Sequence, residues 1–156
     1  MATELINRPF TATWNGPEIT TSWFNPVVVI NTATADGVVD VKLPAATTDQ
    51  PFGILLNRPA ATGAAASIAR IVDCNIVKVI ANDTFTSGDF AGIGTVGDTT
   101  TSGKAVPASA ISLPNTSTAF TATAYGYSFG RVLNRVAATG AVAIIETFLL
   151  KYAVSD

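Results

Sequence analysis

The apolar positions along this chain do not recur at the 3.6-residue spacing that would stripe a helix, and Thr, Val, Ile, Gly and Pro interrupt every candidate helical segment. No long stretch rich in Leu, Glu, Lys and Arg offsets them. The pattern predicts strands over residues 18–24, 26–31, 38–43, 52–57, 66–73, 76–82, 90–96, 125–134 and 141–152. Turn clusters separate them, among them Thr34-Ala35-Asp36-Gly37, Ala61-Thr62-Gly63, Thr86-Ser87-Gly88-Asp89 and Gly97-Asp98-Thr99. Short strands punctuated in this way make an all-β fold, a compact β-barrel or sandwich.

The chain before about residue 26 differs in kind. It holds Phe10, Trp14, Trp23 and Phe24 among Pro9, Pro17 and Pro26. Each proline removes a ladder hydrogen bond and disfavours a central strand. The expectation is an extended N-terminal arm over residues 1–25, followed by a single β domain over residues 26–156. Two readings of the aromatics stand. They fold back onto the core, or the arm lies on a partner, in which case Phe10, Trp14, Trp23 and Phe24 form a partner interface. On the second reading, removing residues 1–24 leaves a folded domain that attaches more weakly.

The strongest internal signal is a repeat. Phe52-Gly53-Ile54-Leu55-Leu56-Asn57-Arg58-Pro59-Ala60-Ala61-Thr62-Gly63-Ala64-Ala65-Ala66 is echoed, 77 residues on, from Phe129-Gly130-Arg131-Val132-Leu133-Asn134-Arg135 to Ala143. Phe, Gly, Leu, Asn, Arg, Thr, Gly and four Ala match in place. Each copy reads as strand, glycine-centred turn, strand, so similar hairpins are expected over 52–72 and 129–149. Two halves related by pseudo-symmetry, or pairing with each other, follow; two copies are too few for a solenoid. The matched Arg58 and Arg135 are expected to pair with Asp73, Asp89 or Glu146.

Composition narrows the function. A chain of 156 residues can bury roughly 70% of the surface it exposes unfolded, so it needs no disulfide to fold. Only 13% of residues are charged, about half the usual share, and net charge is −2. Copies repel one another little, and a surface of Thr and Asn is cheap to desolvate once hydrogen-bonded; both favour association. The basic residues are scattered, which argues against nucleic acid, where a basic stripe must neutralise phosphates. Residues 105–130 carry no charge, but Pro107, Pro114, Asn115 and several Ser and Thr break any membrane span, and a loop between strands is expected. The lone Cys74, flanked by Val72 and Ile76, reads as a small buried apolar residue. The first residues lack a basic start and apolar run, so synthesis in the cytoplasm without export is expected.

Motifs that imitate chemistry do not hold together. Gly126-Tyr127-Ser128-Phe129-Gly130 matches a nucleophile elbow, but the protein contains no histidine to serve as base, and the segment runs on into the repeated strand. Gly92-Ile93-Gly94-Thr95-Val96-Gly97 has dinucleotide-binding spacing, yet turn residues follow where a helix is needed. Gly97 to Lys104 imitates a phosphate loop with one residue too many and Ala105 in the magnesium position. With no histidine and one cysteine, only isolated carboxylates remain for a metal. Nothing selects a carboxylate pair for glycoside hydrolysis. The expectation is no catalytic, cofactor or metal site: a protein that is not an enzyme.

Residues 52 to about 106 resemble the bacteriophage capsid decoration (head cement) family. A strand opening on Gly53 leads through a small-residue turn at Gly63 to strands near 66–72 and 76–81, and Phe85-Thr86-Ser87-Gly88-Asp89-Phe90-Ala91-Gly92 is similar to that family's Gly-Asp-apolar turn. The closing hairpin of Phe129-Gly130-Arg131-Val132-Leu133 and Ala138-Thr139-Gly140-Ala141-Val142-Ala143-Ile144 also looks like that family's last hairpin. The likeness spans residues 25–152, with a longer N-terminal arm and Ala141 where the family has an acidic residue. It implies a β-barrel or sandwich, a homo-oligomer and often a trimer. Its implied seat is the capsid exterior, where it clamps neighbouring major capsid proteins. Two other readings are a tail or baseplate module and a carbohydrate-binding β domain with Trp14 and Trp23 as a stacking platform.

Overall fold

The computed structural model describes residues 8–20, 25–32, 37–94, 103–108 and 124–154, without the side chains of 124–126 and 152–154. It contains ten strands and no α-helix among these residues. The strands are β1 (Phe10–Trp14), β2 (Val27–Ile30), β3 (Asp40–Lys42), β4 (Gly53–Leu55), β5 (Ala65–Arg70), β6 (Ile76–Ile80), β7 (Phe90–Ile93), β8 (Ala105–Pro107), β9 (Ala124–Val132) and β10 (Val142–Val154). The first five close into a barrel in the order β1-β3-β2-β4-β5, and the last five form a sheet in the order β6-β10-β9-β7-β8. The all-β expectation holds.

The chain does not divide near residue 25. Phe10–Trp14 is a barrel strand, antiparallel to β5 with Phe10 opposite Ile68 and Thr13 opposite Ala65, and parallel to β3. The residues alternate apolar and Thr, the period of a half-buried strand, and Pro9 and Pro17 flank the ladder without interrupting it. The extended arm is therefore corrected for this stretch. Deleting residues 1–24 removes a barrel strand. Of the expected strand over 18–24, Glu18 to Thr20 are not in a strand and the rest lies outside the described residues. Conversely β8 falls inside the expected loop, pairing with β7 and tolerating Pro107 at its end.

The repeat extends far beyond the hairpin visible in the sequence. In β4–β5, Gly53 faces Arg70 and Leu55 faces Ile68; 77 residues later Gly130 faces Thr147 and Val132 faces Ile145. Asn57 clamps its hairpin by donating to Ala65 O (2.8 Å) and accepting from Ser67 N (2.8 Å). Asn134 repeats this with Val142 O (3.1 Å) and Ile144 N (2.7 Å). Gly63 and Gly140 both take positive φ, 91° and 84°. A Cβ on Gly53 would collide with Ile68 and sit 2.8 Å from Ala69 O, and one on Gly130 would collide with Ile145 and the Glu146 carbonyl.

The remaining strands obey the same correspondence. Val28 pairs with Gly53 as Ala91 pairs with Gly130, and Ile30 pairs with Val41 as Ile93 pairs with Ala105. Trp14 meets Val41 in parallel as Ala81 meets Ala105 through a bridge, and Asn15 N donates to Val41 O (2.8 Å) as Asn82 N donates to Ala105 O (2.8 Å). That bridge joins β6's end to β8, so the second sheet curls until its edges meet. One difference is chemical: Phe85 and Val136 exchange two backbone bonds (2.9 Å each). Their counterparts Ile19 and Pro59 share one (3.0 Å), because proline has no N–H. The protein is thus two copies of one five-stranded unit, joined through a 3₁₀ turn at Ile71–Asp73.

Each unit has an interior. Ala12, Trp14, Ile19, Val28, Val41, Leu55, Ala66 and Ile68 fill the first. Their counterparts Val79, Ala81, Phe85, Ala91, Ala105, Val132, Ala143 and Ile145 fill the second, in a larger core that also takes in Val27, Ile54, Ala69 and Ile71 from the first unit. β4 is consequently buried on both faces, Leu55 toward its own barrel and Ile54 toward the neighbour. Val27 N donates to Gly103 O (2.8 Å) and Asn25 Nδ2 to Lys78 O (2.9 Å) across the same junction.

Candidate interaction surface

The four aromatics expected at a partner interface have separate fates. Trp14 lies in the first barrel with no exposed surface, its Nε1 donating to Pro17 O at 2.8 Å. It belongs to the core and cannot touch a partner while the barrel is closed. Phe10 is half-buried at the barrel's end, edge-on to Phe52 with ring centroids 5.7 Å apart, and the Arg70 guanidinium sits 5.8 Å above its ring. Arg70 is held in turn by Asp73 at 2.8 Å. Trp23 and Phe24 lie outside the described residues.

Beside Phe52 an open cavity of about 420 Å³ is lined by Val29, Ile30, Lys42, Asp49 and Pro51 among others. Ile30 is 46% exposed at its edge. Asp49 shapes the rim by accepting from Ala45 N (2.6 Å) and Ala46 N (2.9 Å).

The second unit carries a different row, exposed at Phe90 and half-buried at Phe148. Phe90 and Phe148 meet edge to face, 5.9 Å between centroids, next to the cross-strand ion pair of Arg131 and Glu146 at 2.8 Å. Cys74 lies beside them around an open hollow of about 360 Å³. Sequence reasoning assigned Phe90 and Arg131 to strands without seeing that they share a bare face. The signal was available in the repeat, where Ile54 and Arg131 occupy one position with opposite chemistry.

One smaller expectation changes. Cys74 is exposed, not buried, because it follows the 3₁₀ turn in the left-handed conformation (φ 52°), which turns it away from the core; Val72 beside it is 64% exposed. The carboxylates of Asp73 and Glu146 form ion pairs with Arg70 and Arg131. Ser128, the centre of the nucleophile-like motif, is fully buried in β9 with its hydroxyl within hydrogen-bond reach of the Ala91 (3.0 Å) and Gly130 (3.1 Å) carbonyls. A serine so placed fixes the strand at its irregular step between Ala91 and Gly92. Among the described residues no three potential metal ligands gather, and no helix is long and apolar enough to cross a membrane.

The geometry defines a duplicated β-barrel protein whose distinctive surfaces are half-exposed aromatic rows and shallow open hollows. No family model and no curated protein matches the chain. Among solved structures it is similar to the N base of head fiber gp8.5 from bacteriophage phi29. The TM-score is 0.56 at 15% identity, over 90% of this chain and 93% of that one. At that identity the likeness is one of fold, and it takes in both units.

Proposed function

We propose that this chain is a structural protein of a phage head, bound to the outer surface of the capsid, where it stabilises contacts between neighbouring major capsid proteins. The observation that carries the reading is the likeness, along nearly the whole of both chains, to the base of a phage head fiber. The sequence resemblance to capsid decoration proteins supports it from separate features, the glycine turns of the two hairpins. We also propose that the protein works as a homo-oligomer, a trimer being the state that resemblance implies.

The physics of such a role suits this molecule. A protein attached in many copies resists capsid expansion through the sum of modest interfaces, and a charge-poor surface with bare aromatics provides modest interfaces at low desolvation cost. A carbohydrate-binding reading would need exposed stacking rings, and Trp14 is enclosed. The test is cosedimentation of purified protein with DNA-free expanded capsids. Saturable recovery with the particles is expected. Protein left in the supernatant but retained on sugar columns would refute the reading.

A further inference from the structure

The two units are built alike but are not buried alike. Val27, Ile54 and Ala69 form a row across β2, β4 and β5 on the first barrel's outer face. With Ile71 they lie in the core that includes the second unit's interior. At the far end of that contact are Val77, Ile93 and Phe129, which are 0%, 2% and 0% exposed. In the first unit the residues answering to these three are Phe10, Ile30 and Phe52, all partly open, and Ile30 and Phe52 line the 420 Å³ cavity. In the second unit the row answering to Val27, Ile54, Ala69 and Ile71 is Phe90, Arg131, Glu146 and Phe148, which line the 360 Å³ hollow with Phe90 and Arg131 exposed and Glu146 and Phe148 half-buried. Each unit therefore has an outer row and an open end. Within one chain, the row of the first is joined to the end of the second, and one row and one end are left over.

We propose that the leftover row of one copy docks on the leftover end of another, repeating between chains the contact the two units make within a chain. Its apolar part sets Phe90 and Phe148 against Ile30 and Phe52. Its polar part sets Arg131 and Glu146 near Asp49 and Lys42, which line the cavity with opposite signs. Replacing Ile54 and Ala69 with an ion pair is the change expected when a permanently covered row becomes one that must also face water before assembly. Because the two surfaces differ, the contact is head to tail, and it yields a ring if the rotation closes. This gives a geometry to the self-association proposed above and rests on that part of the reading.

The test uses the full chain in solution, by light scattering after size exclusion. Wild type is expected at a multiple of 16.0 kDa. F90E, on the row, and I30E, at the end, each change a residue 46% exposed and are each expected to fall to smaller species. Mixed together, they recover a two-chain species through the one intact row and end, which a symmetric interface of like with like would not do. R131E and K42E form a second pair in case either apolar position fails to fold. A monomeric wild type, natively folded variants of wild-type mass, or mixtures that remain monomeric in both pairs would overturn the interface. A monomer that still cosediments with capsids would end this inference and leave capsid binding standing; an oligomer that ignores capsids would do the reverse.

Discussion

Replacing Trp14 with alanine tests whether the aromatic N-terminal region is core. The indole has no exposed surface, its Nε1 donates to Pro17 O at 2.8 Å, and a Cβ on Gly16 would lie 2.7 Å from its ring, so backbone closes over it. Burying a ring of this size removes about 200 Å² from water, about 5 kcal/mol at 25 cal/mol per Å². Measured truncations of core Trp and Phe cost about 3–5 kcal/mol, since the surroundings relax only in part. A loss of about 4 kcal/mol is a large fraction of a stability of about 5–15 kcal/mol, and corresponds to a fall of about 12 °C in the midpoint of unfolding. Trp14→Phe keeps most of the volume and loses the indole bond, for about 1–2 kcal/mol. The assay is urea unfolding followed by far-ultraviolet circular dichroism, with capsid cosedimentation alongside. A Trp14→Ala protein losing under about 1 kcal/mol while binding capsids less well would refute the reasoning and return Trp14 to a partner-facing arm.

Alanine at Gly53 or Gly130 should destabilise by about 1–3 kcal/mol each in urea titrations, because both positions face the same close backbone; unequal effects, one near zero, would contradict the equivalence of the two units. Asn134→Ala should cost about 1–2 kcal/mol and Asn57→Ala less, since the Ile144 N–H it strands is part-buried and that of Ser67 is exposed; thermal melts that reverse the order would count against the clamp. Cys74 should react with a thiol reagent such as Ellman's in the native protein, one equivalent per chain; reaction only after denaturant would mean that it is core.

The hairpin repeat was legible because its causes are local. Gly63 and Gly140 set the turn, Asn57 and Asn134 tie strands eight to ten residues apart, and such features must recur in the letters. The other three strands of each unit pair by backbone, which leaves the side chain free to change, so their repetition left no trace. Trp14 and Ala81 stand in one position, as do Val27 and Phe90. β1 was hidden by prolines that turn out to flank it. Of the candidate partner residues, the sequence could not tell half-buried Phe10 from enclosed Trp14, since both obey the same alternation toward one barrel face and only distance from the open end separates them.

By itself the order of residues determined that this chain makes strands and where two of its turns lie; both depend on neighbours a few positions apart. The tertiary structure alone decided that five strands close into a barrel and five more repeat it, which aromatics are enclosed, and which row is covered in one unit and bare in the other. Those outcomes are set by contacts between residues far apart in the chain. An outer face becomes core or surface according to what closes over it, and the residues of that face are only half of the cause.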